Sequence, residues 1–433
     1  MMVHVVIRKT QRLCGQVCAP SSKSYTQRMV IAAALSHGVS RVSNPLMSED
    51  TEATLRAVTA LGSKVKISEG CWTIEGAKSL KSSTKPIDCG ESGATLRFII
   101  PTAALADGPS VLTFNGSFDK RPVEPLLASL NDLGAKTHTG KLGVKEAVFV
   151  DGGGIVGGET NIAGDVSSQF ISGLMFACPM GEVDTEIMIS SPLESVDYVK
   201  MTEAVLVNHG IKVPAHENHI HIPANQQYRS FDGIVPGDFS SAAFLLAAAA
   251  ITESKVQVSN LSYSTIQGDK EILGILKHMG VEGKVCDDSV EIDGSGKLIK
   301  PVEVDSKNIP DLVPIIAVLA CYTQGVSHIF GAQRLRLKES NRLDSLYLEL
   351  TKMGAQITVN NEGLIIRGGS PLHGATIDPH NDHRIAMACA VAALGAEGET
   401  IIQDAECVRK SYPKFFTNLK QIGANVVGGK FDR

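Results

Sequence analysis

The sequence predicts an α/β protein of two domains, each holding three βαβαββ modules around buried central helices. Apolar runs of helix length end at Gly38, Gly108, Gly181, near Glu253, at Gly325 and near Gly398. A second, amphipathic set closes on Gly62, Gly134, Gly210, Gly280, Gly354 and Gly423, so both sets recur about every seventy residues, the mark of an internal repeat. Several of those glycines are followed by two alternating segments around a turn, which read as hairpins.

Each element has its own justification. The first buried helix opens on Pro20, Ser21, Ser22, Lys23 and Ser24, where a serine can cap free N–H groups, and its apolar run stops at Gly38. The first helix of a module is apolar on most faces (Met29 to Leu35, Phe98 to Leu105, Ala242 to Ile251), which places it centrally. The second helix is one-sided, as Leu343, Leu346, Leu350 and Met353 show, and Gly354 is expected to take the left-handed C-cap. Lys64 to Ile67, Glu69 with Gly70, and Trp72 to Ile74 make the first hairpin. Pro and Gly punctuate Val235 to Asp238, which marks a domain boundary. An opening strand, Val3 to Ile7, precedes the first module and is expected to complete the sheet of the last. The domains are therefore 20–235 and 1–19 plus 236–433, joined by two crossings near 19–20 and 235–238 that would act as a hinge.

Composition bounds the function. A chain of 433 residues exceeds one compact core, and 43% hydrophobic with 20% charged residues is ordinary for a water-soluble protein. No apolar run is long enough for a bilayer crossing and no signal-peptide core opens the chain, so a cytoplasmic protein is expected; a removed transit peptide would leave no trace. The start at Met1 and a completed sixth module favour a stand-alone chain. Nine cysteines without metal-like pairing point to reduced thiols. A net charge of -5 argues against nucleic acid as the main partner, so any basic site must be local. A monomer acting on small molecules, with no membrane partner, is the expected form.

Polar residues gather where the helices begin: Ser22, Lys23, Ser24; Glu91, Ser92, Gly93; Ser167, Ser168, Gln169; Phe239, Ser240, Ser241; Pro310, Asp311; and Asp382, His383, Arg384. Second-helix openings add Arg121, Ser195 to Tyr198, Lys338, Glu339, Arg342 and Lys410. Three helix N-termini facing one cleft would form an anion trap, so phosphates and carboxylates are the expected ligands. Bland alternatives exist for each stretch. Arg334 to Arg342 also reads as a solvated start to a helix with Glu339 and Arg342 paired at i,i+3, and Glu91 to Gly93 as a turn and cap. Asp378, His380, Asp382 and His383 resemble a metal site, but capping plus anion binding through Arg384 is simpler. His216, His219 and His221 read as solvated hairpin residues. Asp311, a carboxylate at a buried helix start, must either cap or do proton chemistry.

In combination the stretches Pro20 to Arg28 (PSSKSYTQR), Cys89 to Phe98, Lys120 to Pro122, Asp165 to Leu174, Gly237 to Ala250, Asn308 to Pro314, Leu335 to Leu343, Asn381 to Met387 and Lys410 to Phe416 resemble the 5-enolpyruvylshikimate-3-phosphate synthases, in family order along the whole chain. The resemblance implies a two-domain inverse α/β barrel. It also implies transfer of the enolpyruvyl group of phosphoenolpyruvate to the 5-hydroxyl of shikimate 3-phosphate, without metal or organic cofactor. By the same resemblance, Lys23, Ser24, Arg28, Ser167, Ser168, Gln169, Ser195, Tyr198, Asp311 and Lys338 would hold shikimate 3-phosphate. Lys23, Gly93, Arg121, Gln169, Arg342, Arg384 and Lys410 would hold phosphoenolpyruvate. Asp311 would take the hydroxyl proton, and Glu339, with Lys23 near, would protonate the methylene carbon. Hinge closure on ligand binding is expected. Glu91, Ala94 and Arg334 depart from the family pattern, whereas Gly93 keeps it and implies binding of the analogue glyphosate. The rivals are a UDP-N-acetylglucosamine enolpyruvyl transferase, disfavoured because Asn115 to Lys120 lacks a cysteine, and a non-catalytic anion-binding relative, disfavoured because Asp311, Glu339 and Lys23 are all present.

Overall fold

The computed structural model describes residues 4–116, 120–216, 218–296 and 299–428; Val3, where the opening strand was expected to start, lies outside them. The chain forms two compact units, Ser22–Val235 and Met1–Ser21 with Pro236–Arg433.

In the unit Ser22–Val235, the first module runs α1 (Lys23–Leu35), strand Val39–Ser43, α2 (Glu49–Ala60) and hairpin Lys64–Ser68 with Cys71–Glu75. The second has strand Ile87–Asp88, α3 (Gly93–Ala104), strand Ser110–Phe114, α4 (Glu124–Asp132) and hairpin Thr137–Leu142 with Lys145–Val150. The third has strand Gly158–Ile162, α5 (Ser168–Ala177), strand Thr185–Ile189, α6 (Val196–Asn208) and hairpin Ala215–His216 with His219–Ile222. In each four-stranded sheet the leading strand lies parallel to the next, which pairs antiparallel with the second hairpin strand. The first module takes its leading strand from the far end of the unit, where Gly233 pairs with Val42 in parallel.

The other unit repeats the pattern with α7 (Phe239–Ile251), α8 (Ile272–His278), α9 (Val313–Cys321), α10 (Arg342–Lys352), α11 (His383–Gly395) and α12 (Phe415–Gln421). Here the chain's beginning supplies two strands. Val5–Arg8 is inserted between Glu399–Ile402 and Val426–Gly428, so an opening strand does complete the last sheet. Cys14–Cys18 adds the parallel leading strand beside Lys255–Ser259, a role not foreseen from its sequence.

The apolar helices form the cores. Every residue from Phe239 to Ala250 of α7 is buried, as are nearly all of α9 and α11, and α1, α3 and α5 do the same in the other unit. Side chains cap five of these helices: Ser22, Ser92, Ser167, Asp238 and Asp382 each accept a bond from a first-turn N–H. The amphipathic helix α10 ends as expected, with Gly354 at φ +94°. The glycines closing the buried helices differ: Gly108 and Gly181 are not left-handed, because α3 ends at Ala104 and α5 runs into a 3-10 turn, Cys178–Met180.

His219 and His221 are not free solvated residues. They share one strand face and both reach the Glu186 carboxylate on the neighbouring strand, His221 Nδ1 at 2.6 Å. His216 lies on the adjoining strand, opposite His219.

Candidate active site

In the unit Ser22–Val235, polar side chains collect at the first turns of α1, α3, α5 and α6. Lys23, the first residue of α1, places Nζ 2.8 Å from Asp50 Oδ2. One turn on, Arg28 is buried: Nε donates to Thr202 Oγ1 (2.8 Å), Nη1 to the Ser24 carbonyl (3.1 Å) and Nη2 to the Tyr198 carbonyl (3.2 Å). Its guanidinium lies 5.1 Å from the Phe98 ring centre and 5.7 Å from that of Tyr198. Burial lowers its pKa to about 10 despite the opposing pull of Tyr198 and Tyr25. Ser24, Arg28 and Tyr198 are thus assembled. Ser195 precedes α6 in a left-handed conformation (φ +56°) and is buried.

Gly93 begins α3 directly against Arg121: a Cβ at Gly93 would stand 2.3 Å from Arg121 Nη2. Ser167 and Gln169 meet at the start of α5, where Ser168 is buried beside them. A buried arginine that sequence reading passed over organises this side. Arg97 Nη1 donates to Gln169 Oε1 (2.9 Å) and Ser167 Oγ (3.5 Å), and Nη2 donates to the Pro122 carbonyl next to Arg121 (3.1 Å). Gln27 does the same for α1, α2 and α3, its amide nitrogen lying 3.1 Å from Thr54, Ser92 and Thr95 hydroxyls. Glu91, one of the departures, is exposed.

The second collection lies in the unit holding α7 to α12. Arg342, with 1% of its side chain exposed, bonds three carboxylates: Asp311 (Nη1, 2.8 Å), Glu339 (Nη2, 2.7 Å) and Asp382 (Nε, 2.9 Å). Of the solvated-helix reading of this stretch, the i,i+3 pairing of Glu339 with Arg342 at the start of α10 holds, but the solvation does not, since both are screened from water. Arg384 Nη2 lies 3.1 Å from the other Asp311 oxygen, and Nη1 donates to the Asp311 carbonyl (3.2 Å). Asp382 caps α11 and accepts from Ser340 Oγ (3.1 Å). Lys410 Nζ donates to the Asn381 carbonyl (2.6 Å). Arg334 donates to the Lys307 carbonyl (2.8 Å).

Asp311 sits in the 3-10 turn Pro310–Leu312 ahead of α9 and is the N-cap residue of neither element. Burial opposes its ionisation, yet Arg384, Lys338 and Arg342 overcome that and hold its carboxyl well below the ordinary range, with Glu339 opposing them. The half-buried Lys338 is pushed the other way, down to about 8, by desolvation and by Arg334 and Arg342, while Asp311 and Glu339 pull it back. Asp269, unremarked in the sequence, is a further buried carboxyl here. Burial and the Asp311 charge, with Asp238, raise it to about 7 against Arg384 and the Ser240 hydroxyl, which donates to it. Such a cluster can bind an anion through its cations while keeping one ionised carboxylate able to accept a proton.

These features define a class: α/β proteins of six modules that gather cations and carboxylates where buried helices begin. Residues 7–419 match the family described as EPSP synthase (3-phosphoshikimate 1-carboxyvinyltransferase). The chain is 42% identical over 428 residues to the 3-phosphoshikimate 1-carboxyvinyltransferase of Methanocaldococcus jannaschii, covering 98% of this chain and 99% of that one. It is 42% identical over 415 residues to the protein of the same name from Methanocella arvoryzae, covering 95% and 97%. An EPSP synthase structure from Acinetobacter baumannii gives a TM-score of 0.83 at 27% identity, covering 99% of this chain and 100% of that one. The chain belongs to the EPSP synthase family.

Proposed function

We propose that the chain transfers the enolpyruvyl group of phosphoenolpyruvate to the 5-hydroxyl of shikimate 3-phosphate, releasing phosphate, as a monomeric cytoplasmic enzyme of aromatic amino-acid biosynthesis. The observation that supports this most is Asp311 clasped by Arg342 and Arg384, a base and two anion-binding forks in one cluster, in a chain of this family. Asp311 accepts the hydroxyl proton as the oxygen attacks the second carbon of phosphoenolpyruvate. Glu339, once it carries a proton, gives it to the methylene carbon and is left as the carboxylate that Arg342 holds here, and Lys23 supplies positive charge. The tetrahedral adduct then loses phosphate and a methyl proton, which restores the double bond. When the substrate's carboxylate and phosphate draw Arg342 and Arg384 towards themselves, Asp311 loses part of the field that keeps it a weak base, so binding raises its basicity.

Arg28, Ser24 and Tyr198 are assigned to the shikimate phosphate side with Lys23, Ser167, Ser168, Gln169, Ser195, Asp311 and Lys338. Gly93, Arg121, Gln169, Arg342, Arg384, Lys410 and Lys23 are assigned to phosphoenolpyruvate. These residues are divided between the two units, so neither unit carries the full set. The test is phosphate release from phosphoenolpyruvate with shikimate 3-phosphate, beside UDP-N-acetylglucosamine and beside Asp311→Ala. Release with the first acceptor alone, lost in the variant, supports the reaction and the base; release only with the nucleotide sugar would sink the reading.

A further inference from the structure

The loop before α11 carries a feature that the cluster around Arg342 does not explain. His380 and Asn381 are consecutive residues other than glycine held in the left-handed region, at φ +52° and +54°. Asparagine and histidine enter that region more readily than most residues, but two in a row still cost energy that the surroundings must offset. That conformation turns the Asn381 carbonyl to Lys410 Nζ and delivers Asp382 to the cap of α11 and to Arg342.

What imposes it is α10, which grips the loop at two points. Arg342 at its start holds Asp382, and Glu349, seven residues and two turns along the same face, holds the other end. Glu349 has 1% of its side chain exposed, and its oxygens are engaged from three directions. Asp378 N donates to Oε2 (3.1 Å), His380 Nε2 lies 2.9 Å from Oε1, and Lys352 Nζ reaches both at 2.8 and 2.9 Å. A carboxylate only accepts, so Nε2 of His380 carries the ring proton. Paired with Lys352 on its own helix, this buried carboxylate still accepts from two residues of the loop.

We infer that Glu349, acting through His380 and the Asp378 amide, is a positioning residue for phosphoenolpyruvate: it sets the loop that aims Lys410 and Arg384. The inference rests on the assignment of those two cations to that substrate. Glu349 touches no substrate. Its effect belongs to the affinity for one substrate, whereas a merely structural carboxylate would affect stability and both substrates alike.

The experiment uses the full chain with three substitutions. Glu349→Leu removes the tether. His380→Gly removes the imidazole half of it, leaving the Asp378 amide bond, while relieving the left-handed strain, so this variant keeps or gains thermal stability. Glu349→Gln keeps both loop bonds, because the amide oxygen accepts from Asp378 N while its NH2 donates to the other ring tautomer of His380, and Lys352 gives up its place on the replaced oxygen. KM for phosphoenolpyruvate is expected to rise at least fivefold in Glu349→Leu and His380→Gly and to stay within twofold in Glu349→Gln. KM for shikimate 3-phosphate is expected to stay within twofold throughout. Amide hydrogen exchange at residues 381–384 is expected to speed up about tenfold in His380→Gly, a readout that needs no turnover. A folded His380→Gly protein with unchanged exchange, or equal KM increases for both substrates, would overturn the inference. If Glu349→Leu does not fold, His380→Gly decides. A wild-type chain without turnover would count against the proposed reaction, and hydrogen exchange would still decide on the tether.

Discussion

Gly93 shows how much one hydrogen atom can decide. Its place against Arg121 leaves no room for a methyl group, and the obstacle is the far end of a flexible side chain, so the guanidinium moves and the fold does not. Gly93→Ala should therefore leave the melting temperature within a degree or two and raise KM for phosphoenolpyruvate about tenfold, roughly the worth of one charged hydrogen bond. Unchanged KM would mean that Arg121 does not bind that substrate. Asp269 makes a different prediction. A carboxyl whose pKa rises from 3.8 to about 7 on folding holds its proton more tightly in the folded chain. Its contribution is harmless at low pH and becomes a penalty as pH climbs from about 4 through 7. Asp269→Asn keeps an acceptor for Ser240 and removes the ionisation, so its melting temperature should exceed the wild type's by more at pH 8 than at pH 5. A pH-independent difference would refute this. Much of the site was legible at this scale because serine, aspartate and cations before an apolar run are conspicuous. Arg97, Gln27 and Glu349 were not, since a polar residue buried inside or beside an apolar helix leaves no periodic mark.

The amphipathic helices end by a rule that the buried helices do not share. α2, α4, α6, α8, α10 and α12 each place a left-handed glycine directly after the C-cap residue, at Gly62, Gly134, Gly210, Gly280, Gly354 and Gly423. After α7 the corresponding residue is Glu253, exposed and at φ +49°. Its Cβ meets the steric cost of that region, so Glu253→Gly should stabilise the protein by about 1 kcal/mol in chemical denaturation; a loss of stability would show that Glu253 makes a compensating contact. The glycine rule is what made the repeat readable, because no other residue competes for that conformation as cheaply. Strand Cys14–Cys18 escaped notice for the opposite reason. Four of its five residues are exposed, so no alternation announces it, and its partner Lys255–Ser259 lies some 240 residues away. The two-residue strand Gly233–Ile234 is too short to carry a pattern at all.

At the scale of the whole molecule, the chain divides into one continuous unit and one interrupted unit. Residues 22–235 hold their own core and close their first sheet with their own last strand. Expressed alone, that fragment should unfold in a single cooperative transition. Residues 236–433 alone lack an interior strand of one sheet and the leading strand of another, both contributed by the first twenty-one residues. That fragment should stay unfolded, and adding a peptide of residues 1–21 should restore it; a folded fragment without the peptide would refute the expectation. No helix among the described residues is long and apolar enough to cross a membrane.

The threading of Val5–Arg8 between Glu399–Ile402 and Val426–Gly428 also orders events during translation. Residues 22–235 are complete once Val235 leaves the ribosome and can settle while the remainder is still being made. Val5–Arg8 is made before both of its partners and waits for them with its edges uncovered, whereas Cys14–Cys18 meets Lys255–Ser259 much sooner. Val5–Arg8 is thus among the last strands to be placed, and a nascent chain halted before Glu399 would offer it no partner.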